Sequence, residues 1–401
     1  MGGAKEAWAE AQFRGYDRLD GDVCQRCIID DDLLALHALH RRLGTCSFCG
    51  KKKATVARAA LIQRRIMDCL LMSYERLEDS GVPYDGREGG FQISPSSGDE
   101  VVRGEASGAV SDKFLEKVAD QAMNCEWVER DWALLHPYQR LTGGWEDFCR
   151  TVRHRLRYSF AFEPETDEGH PDSTSPVKTL LSISDLVDTY KLIRTVKSGT
   201  EVIRLRVNTR ERYSDIGKLG TPPCQFAKAN RMSPAGISMF YGAFDYETAV
   251  KETWDGVNAA LCSKGTFVTK RNIRIVDFTR LPPVPGYWSN PGRDHLATIR
   301  FMHALAQDIS QPVKRNDSVD LHYAPTQIVA EYLLKARHYR PSRAGKDAED
   351  EIHGVVFGSS HTGKPNFALN VYNSADSELA SGNIQDDWLE LVKVEHLPLM
   401  P

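Results

Sequence analysis

The sequence predicts an α+β protein with a helical N-terminal part and a strand-rich C-terminal domain. Three observations indicate this fold class. The chain has 401 residues, which allows two or three domains at about 150 residues each. Apolar residues recur at helical spacing up to about residue 198. From Glu201 onward, apolar and polar residues alternate as they do in strands.

Composition and charge favour a cytoplasmic protein without a general affinity for polyanions. The chain has 51 Lys and Arg against 55 Asp and Glu, which leaves a net charge of −4. A global positive field is therefore absent, and a charged ligand must be bound locally. No apolar run approaches the roughly 18 residues of a membrane span, and the N-terminus lacks the apolar stretch of a signal peptide. We expect no membrane partner.

Four of the nine cysteines are spaced as in a structural zinc site. They read C-x2-C-x18-C-x2-C and are Cys24, Cys27, Cys46 and Cys49. Four thiolates close a tetrahedron around zinc and leave no open position for a water molecule, so the cofactor is expected to be structural. The alternative ligands nearby are Asp22, His37 and His40. Lys51, Lys52 and Lys53 follow the second knuckle, and a run of three lysines is more typical of a solvated edge than of a nucleic-acid site.

The sequence divides into a zinc module (21–53) with a helix between the knuckles, and a helical region (54–198). Ile62, Ile66, Leu70 and Tyr74 recur every four residues and predict an amphipathic helix. Residues 79–111 are rich in Gly, Ser, Pro and acidic residues, which predicts a long flexible loop. Ser111 and Ser184 are the predicted caps of later helices. Arg150 and His154 are closer together than the sites of metal-independent RNases normally require, so we do not expect that activity.

The third segment (199–375) alternates strands and helices. In the strand predicted for 201–207, Arg204 and Arg206 share one face, and two guanidinium groups side by side suit a diphosphate. Partners among the acidic residues are the structural alternative. Further strands are predicted at 237–244, 267–278, 354–357 and 366–372. Asp245 caps a helix that carries Glu252, and Pro325 lies in the first turn of another. Residues 376–401 are predicted to form a polar, peripheral tail.

Four successive blocks in 201–372 resemble the RES domain, named for its Arg, Glu and Ser. The blocks are IRLRV, NRMSPAGISMFYGAFDYETAVKE, YAPTQ, and GVVFGSS with PNFALNVY. The family is known from bacterial toxins that consume NAD, and its fold is similar to that of ADP-ribosyltransferases. The resemblance thus implies an ADP-ribosyltransferase-like mixed β-sheet. Residues 20–195 resemble the zinc-bearing helical extension, related to HEPN domains, that precedes some RES domains.

The resemblance assigns roles residue by residue. It implies Arg204, Glu252 and Ser359 as the catalytic arginine, glutamate and serine, and Arg206, Arg231 and Tyr241 as NAD-binding residues. Two assignments stay open, since Arg206 can take the place of Arg204 and Ser360 that of Ser359. The second block departs from the family at Asn230, where Gly is usual, and at Ser233, where Asn is usual. The approach of the backbone to the ligand is expected to differ there.

The resemblance also implies NAD as substrate. We expect an NAD-degrading enzyme that cleaves the nicotinamide-ribose bond, as a glycohydrolase or phosphorylase, and that acts as a toxin or defence effector. The alternatives are a protein ADP-ribosyltransferase, or a nucleic-acid-binding zinc/HEPN-like protein whose RES domain is inactive. We further expect a homo-oligomer and an inhibitory or triggering protein partner. Nucleic acid is the less favoured partner, because the net charge is slightly negative.

Overall fold

The computed structural model describes residues 14–87, 89–122, 125–162, 172, 174–208, 211–254, 260–312, 319–337, 351–370 and 388–399. The chain forms two compact units. The first comprises residues 1–137 and 283–297, and the second comprises residues 138–282 and 298–401. Within the described part of the chain, no helix combines the length and apolarity that a membrane crossing requires.

In its described residues, the first unit combines short strands with helices. Its strands are β1 (Asp22–Cys24), β2 (Arg42–Gly44), β3 (Ala54–Arg58), β4 (Tyr74–Arg76), β5 (Tyr84–Asp85), β6 (Gly90–Phe91), β7 (Ser96–Ser97) and β8 (Glu126–Glu129). Its helices are α1 (Asp31–Leu39), α2 (Ala59–Ser73), α3 (Gly98–Glu105) and α4 (Asp112–Asp120). The helix predicted between the cysteine knuckles is confirmed as α1, which Asp30 caps through the backbone N–H groups of Asp32 and Leu33.

The core of the first unit surrounds α2, whose predicted apolar stripe is confirmed except at Tyr74, which follows the helix and lies in β4. Ile62, Ile66 and Leu70 are fully buried, together with Phe114 of α4 and Trp127 of β8. The prediction of a flexible loop over 79–111 is wrong for its last third, where α3 buries Val101 and Val102. Ser97 and Glu100 begin α3 with a capping box, in which each side chain bonds the backbone of the other residue. Ser111 lies at the N-cap of α4 as predicted, but its hydroxyl makes no capping bond.

The second unit combines helices with a large sheet. Its helices are α5 (Pro137–His154), α6 (Pro176–Thr189), α7 (Ile216–Leu219), α8 (Tyr246–Thr253), α9 (Arg293–Ser310) and α10 (Val319–Glu331). Its strands are β9 (Ile193–Val196), β10 (Glu201–Asn208), β11 (Phe240–Ala243), β12 (Ala260–Thr269), β13 (Ile273–Asp277), β14 (Gly354–Gly358), β15 (Pro365–Leu369) and β16 (Leu389–Leu399). The unit boundaries fall within a residue of the start of α5 and within α9.

In the described part of the second unit, eight strands form one mixed sheet in the order β16-β12-β10-β11-β15-β14-β13-β9. Among these described strands, only β13 and β14 pair in parallel. The strand pairing is shortest in the middle of the sheet. There the described residues of β10 and β11 pair only through Ile203 and Ala243, whereas β10 pairs with β12 along its whole length. One face covers a core that contains Val202, Phe240 and Phe367. On the other face, α8 packs over Leu205 and Ala243.

Several sequence predictions for this unit are corrected. Ser184 does not cap a helix: it lies buried inside α6, which Ser175 caps through the N–H of Lys178. Pro325 does not lie in a first turn, because α10 extends N-terminally to Val319. The peripheral tail predicted for 376–401 is wrong over 389–399, which form β16 at the edge of the sheet beside β12. The structure also groups α5 and α6 with the C-terminal unit, whereas the sequence suggested one helical region over 54–198.

Candidate active site and metal cluster

Arg204 lies at the point where β10 and β11 diverge. Its Nη1 donates a hydrogen bond to the carbonyl oxygen of Tyr241 at 2.9 Å, and its guanidinium lies 5.1 Å from the centre of the Phe240 ring. No carboxylate among the described residues forms an ion pair with Arg204. Burial, reinforced by the charge of Arg206, lowers the pKa of Arg204 to about 9. The group remains a cation at neutral pH, and a bound anion would compensate the cost of burying that charge.

Glu252 is held by two side chains from a distant part of the chain. Its Oε1 accepts hydrogen bonds from the Ser359 hydroxyl at 2.5 Å and from Nδ2 of Asn366 at 2.9 Å. The helix that presents it, α8, is capped by Asp245 as predicted, since this carboxylate accepts from the N–H of Thr248 at 3.0 Å. A carboxylate with two donors on one oxygen has a defined orientation.

The loop after β14 positions Ser359. The Ser359 hydroxyl accepts from the backbone N–H groups of His361 and Thr362, both at 3.2 Å, while donating to Glu252. Thr362 in turn bonds the hydroxyl of Thr248 on α8 at 3.0 Å. The small-residue turn predicted at 358–360 therefore belongs to a loop that connects β14 to α8 by hydrogen bonds. Ser359 is only 3% exposed, and its hydroxyl orients the Glu252 carboxylate.

Arg231 and Tyr241 form a third group that borders the first two. Burial lowers the pKa of Arg231, and it outweighs the opposing effects of Tyr323, Glu252 and Tyr241, which act to raise it. The Arg231 guanidinium lies over the Tyr323 ring, 5.4 Å from its centre. The Tyr241 hydroxyl bonds Ser233 Oγ at 2.9 Å and accepts from the N–H of Met232 at 3.3 Å.

The YAPTQ block of α10 fixes the backbone of this third group. Thr326 donates its hydroxyl to the carbonyl of Arg231 at 2.7 Å. Nε2 of Gln327 donates to the carbonyls of Asn230 at 2.8 Å and Ser233 at 3.1 Å. Blocks that are far apart in the sequence therefore meet at one loop. Burial raises the pKa of Tyr241 to about 12, so its hydroxyl keeps its proton at neutral pH.

Arg206 shares its strand face with Arg204, as the sequence predicts, but it contacts different residues. Its Nη2 donates to the carbonyl of Gly220 at 3.3 Å, and its Nε is buried without a hydrogen-bond partner. Asn366, by contrast, touches Glu252 directly and is absent from the predicted site. In the sequence, its position inside the PNFALNVY block was the one signal that pointed to the site. In the structure, Asn366 pairs with Ala243, so its side chain faces α8.

Together, these groups place an oriented carboxylate near the cation of Arg231, and a second buried cation, Arg204, next to Tyr241. Such an arrangement can bind an anionic ligand through arginine and stabilise positive charge that develops beside Glu252. Arg204, Arg231, Tyr241, Glu252 and Ser359 are linked by direct contacts or by electrostatic interaction. The guanidinium of Arg206 contacts the carbonyl of Gly220.

The four predicted cysteines converge in the first unit and could hold a metal ion. Their sulfur atoms all lie within 4.8 Å of one another. Cys24 Sγ is 3.5 Å from Cys49 Sγ, and Cys27 Sγ is 3.9 Å from the sulfur atoms of both Cys24 and Cys46. Burial raises the pKa of Cys46, but the backbone N–H groups of Cys49, Phe48 and Cys24 outweigh it and lower the pKa to about 7.

The alternative metal ligands have other partners. Asp22 accepts from Nη2 of Arg42 at 2.8 Å. Nε2 of His37 lies 3.2 Å from the carbonyl oxygen of Val23, inside the core, and burial lowers the pKa of this imidazole. His40 ends α1 and is exposed. The donor set at this position is therefore four sulfur atoms.

Two family models match the chain. Residues 40–166 match the HEPN/RES N-terminal domain 1, and residues 205–390 match the RES domain. The second match contains Arg206, Arg231, Tyr241, Glu252 and Ser359, and it begins one residue after Arg204. It ends within β16, beyond the limit of 375 expected from the sequence. Neither the curated proteins nor the solved structures contain a significant match.

Proposed function

Because the chain joins a HEPN/RES N-terminal domain to a RES domain, we propose that it is an NAD-consuming enzyme that breaks the bond between nicotinamide and ribose. The RES domain indicates an NAD-related, toxin-like function. The observation that carries the finer proposal is the oriented Glu252 carboxylate, held by Ser359 and Asn366 beside Arg231.

The mechanism follows from the charge that the reaction develops. Breaking the nicotinamide-ribose bond releases a neutral base and leaves positive charge on the ribose. The Glu252 carboxylate stabilises this charge, and it needs no reorganisation because two donors already hold it. Ser359 and Asn366 are positioning residues in this scheme, since both act through Glu252.

The cations bind the rest of the dinucleotide. Arg204 takes the diphosphate, for which its buried guanidinium has no competing carboxylate among the described residues, and Arg231 supplies a second cation. Tyr241 lies beside Arg204 and borders the nicotinamide. Held in this way, the scissile bond stays next to Glu252, and this restriction is itself a contribution to the rate.

The proposal also covers the metal and the biological role. A zinc ion with bonds of about 2.3 Å to four thiolates has sulfur atoms about 3.8 Å apart. Three of the sulfur–sulfur distances, at 3.5 to 3.9 Å, fit this value, and all four sulfur atoms lie within 4.8 Å of one another. We assign this zinc a structural role, with no part in the NAD chemistry. The protein acts as a toxin or defence effector, and an inhibitory or triggering partner controls it.

Product analysis tests the function. Purified full-length protein is incubated with NAD alone, with inorganic phosphate, and with a cell extract as a source of protein acceptors. Free ADP-ribose indicates a glycohydrolase, ADP-ribose 1″-phosphate indicates a phosphorylase, and labelled protein indicates an ADP-ribosyltransferase. We expect nicotinamide release with one of the first two products. If no condition, including the extract, releases nicotinamide, the proposed function is wrong.

A further inference from the structure

The second unit contains a cavity of about 710 Å³ that shares only Arg231 with the proposed NAD site. Arg231 lines it, but Arg204, Glu252 and Ser359 do not. The walls come from α5, from the end of α9 and from α10. The lining residues are Trp145, Glu146, Cys149, Arg150, Arg153, His154, Arg231, Asp308, Gln311, Pro312, His322, Pro325 and Thr326.

The lining carries more positive than negative groups. Arg153 and His154 follow Arg150 by three and four residues, so both lie near Arg150 on the surface of α5. Arg231 and His322 add two basic side chains from other elements. Arg150 is paired with Asp147 at 2.6 Å, whereas Nε of Arg153 is buried and has no hydrogen-bond partner.

The two acidic lining residues leave this positive character in place. Asp308 already accepts hydrogen bonds from Nε1 of Trp145 at 2.8 Å and from Nε2 of Gln311 at 3.1 Å. Glu146 is exposed. Burial raises the pKa of the Cys149 thiol to about 12, so this wall is neutral and does not supply a nucleophile. The cavity is therefore a place to bind an anion and has no evident chemistry of its own.

We propose that this cavity binds a phosphorylated small molecule of nucleotide size. Its volume lies within the range of about 300 to 1,000 Å³ that is typical of ligand pockets. Arginine side chains hold phosphate oxygens through paired N–H groups, and three arginines, Arg150, Arg153 and Arg231, line this cavity. Because Arg231 lines the cavity and also interacts electrostatically with Glu252, the ligand shares one cation with the proposed active site.

Calorimetric titration of the full-length protein tests the proposal with AMP and inorganic pyrophosphate as probes. To keep the probes out of the proposed NAD site, the titration is repeated on Arg204→Ala protein. We expect saturable binding of at least one probe to both proteins. AMP binding without pyrophosphate binding assigns a nucleotide ligand, and the converse assigns a free phosphate compound.

Matched variants of α5 locate the binding. Arg153→Ala is expected to weaken binding about tenfold or more, because a phosphate loses a charge-assisted partner. Arg140→Ala, which removes an arginine of the same helix outside the cavity, is expected to change nothing. The proposal is overturned if neither probe binds, if both variants bind equally, or if a 5′-phosphorylated RNA binds tighter than both probes. Binding is measured independently of nicotinamide release, so failure of either proposal is visible by itself.

Discussion

Glu252 depends on residues more than a hundred positions away in the sequence. A glutamate on a helix is normally solvated. Glu252 is a candidate functional residue because Ser359 and Asn366 both donate hydrogen bonds to the same oxygen of its carboxylate. The resemblance to RES domains identified Ser359 from the sequence. It assigned no role to Asn366, because the partner of an amide side chain follows from strand register, and a single sequence does not specify which strands are neighbours.

Asn366→Ala is expected to lower kcat for nicotinamide release about 10- to 150-fold, which corresponds to the roughly 1.5 to 3 kcal/mol of a hydrogen bond to a charged group. KM for NAD should change less than about threefold, because the lost interaction orients the carboxylate and does not touch the diphosphate. Steady-state kinetics separates the two constants. A variant with raised KM and unchanged kcat would mean that Asn366 binds substrate.

Arg204 and Arg206 are distinguished by the same measurement. Arg204→Ala is expected to raise KM for NAD about tenfold or more, since a buried cation is removed from the proposed diphosphate site. Arg206→Ala should raise KM less, because its guanidinium contacts the carbonyl of Gly220. The opposite order would assign the family arginine to Arg206.

At the scale of elements, the sequence was most informative where the periodicity is regular. The helix α2, the strand β10 and the cap at Asp245 lie where the sequence predicts them. The cap was wrongly predicted at Ser184 because the sequence offers several serines near the start of this helix. Only the burial of Ser184 in the structure shows that it lies within the helix and that Ser175 is the cap. The start of α3 could have been predicted, since Ser97 and Glu100 form the capping-box pattern. The polar residues around this pattern favoured a loop instead.

The strand β16 was missed because its composition is polar on one side. It lies at the edge of the sheet, where charged residues are common. Its ends are nevertheless buried, with Leu389 and Leu399 at 0% and 5% exposure. It pairs with β12 from Leu389 to Leu399, with one irregularity at Val392, and this pairing makes it part of the fold.

Leu389→Ala is therefore expected to destabilise the second unit by about 2 to 5 kcal/mol, the usual range for a buried leucine. The matched control is Val392→Ala on the same strand, where the side chain is 50% exposed and the loss should be under about 1 kcal/mol. Urea unfolding measures both. Equal effects of the two variants would show that β16 does not pack as described.

The cysteine cluster makes a prediction about the first unit. Purified protein should contain about one zinc per chain, and Cys24→Ser with Cys27→Ser should lose the metal and melt at a lower temperature, because metal binding contributes to folding. Cys224→Ser, which changes an exposed cysteine of the second unit, is the control and should keep the metal. Metal analysis and a thermal melt check these outcomes. A double variant that retains zinc would refute the four-cysteine site.

At the scale of the whole molecule, the near balance of charge agrees with a small anionic ligand. The net charge of −4 offers no general attraction for a polyanion. The basic side chains that matter are concentrated in the second unit, at Arg204 and Arg231 and in the cavity beside α5. This distribution supports the dinucleotide over nucleic acid as the ligand of the RES domain.

The central claim is that the Glu252 carboxylate carries the cleavage of NAD. The most direct measurement compares the initial rate of nicotinamide release for wild type, Glu252→Gln and Glu247→Gln. Glu247 lies on the same helix, but it is exposed and paired with Lys364 at 2.7 Å. We predict a loss of about 100-fold or more for Glu252→Gln, in line with the removal of a preorganised charge, and a rate within about twofold of wild type for Glu247→Gln. Equal rates for all three proteins would contradict the account.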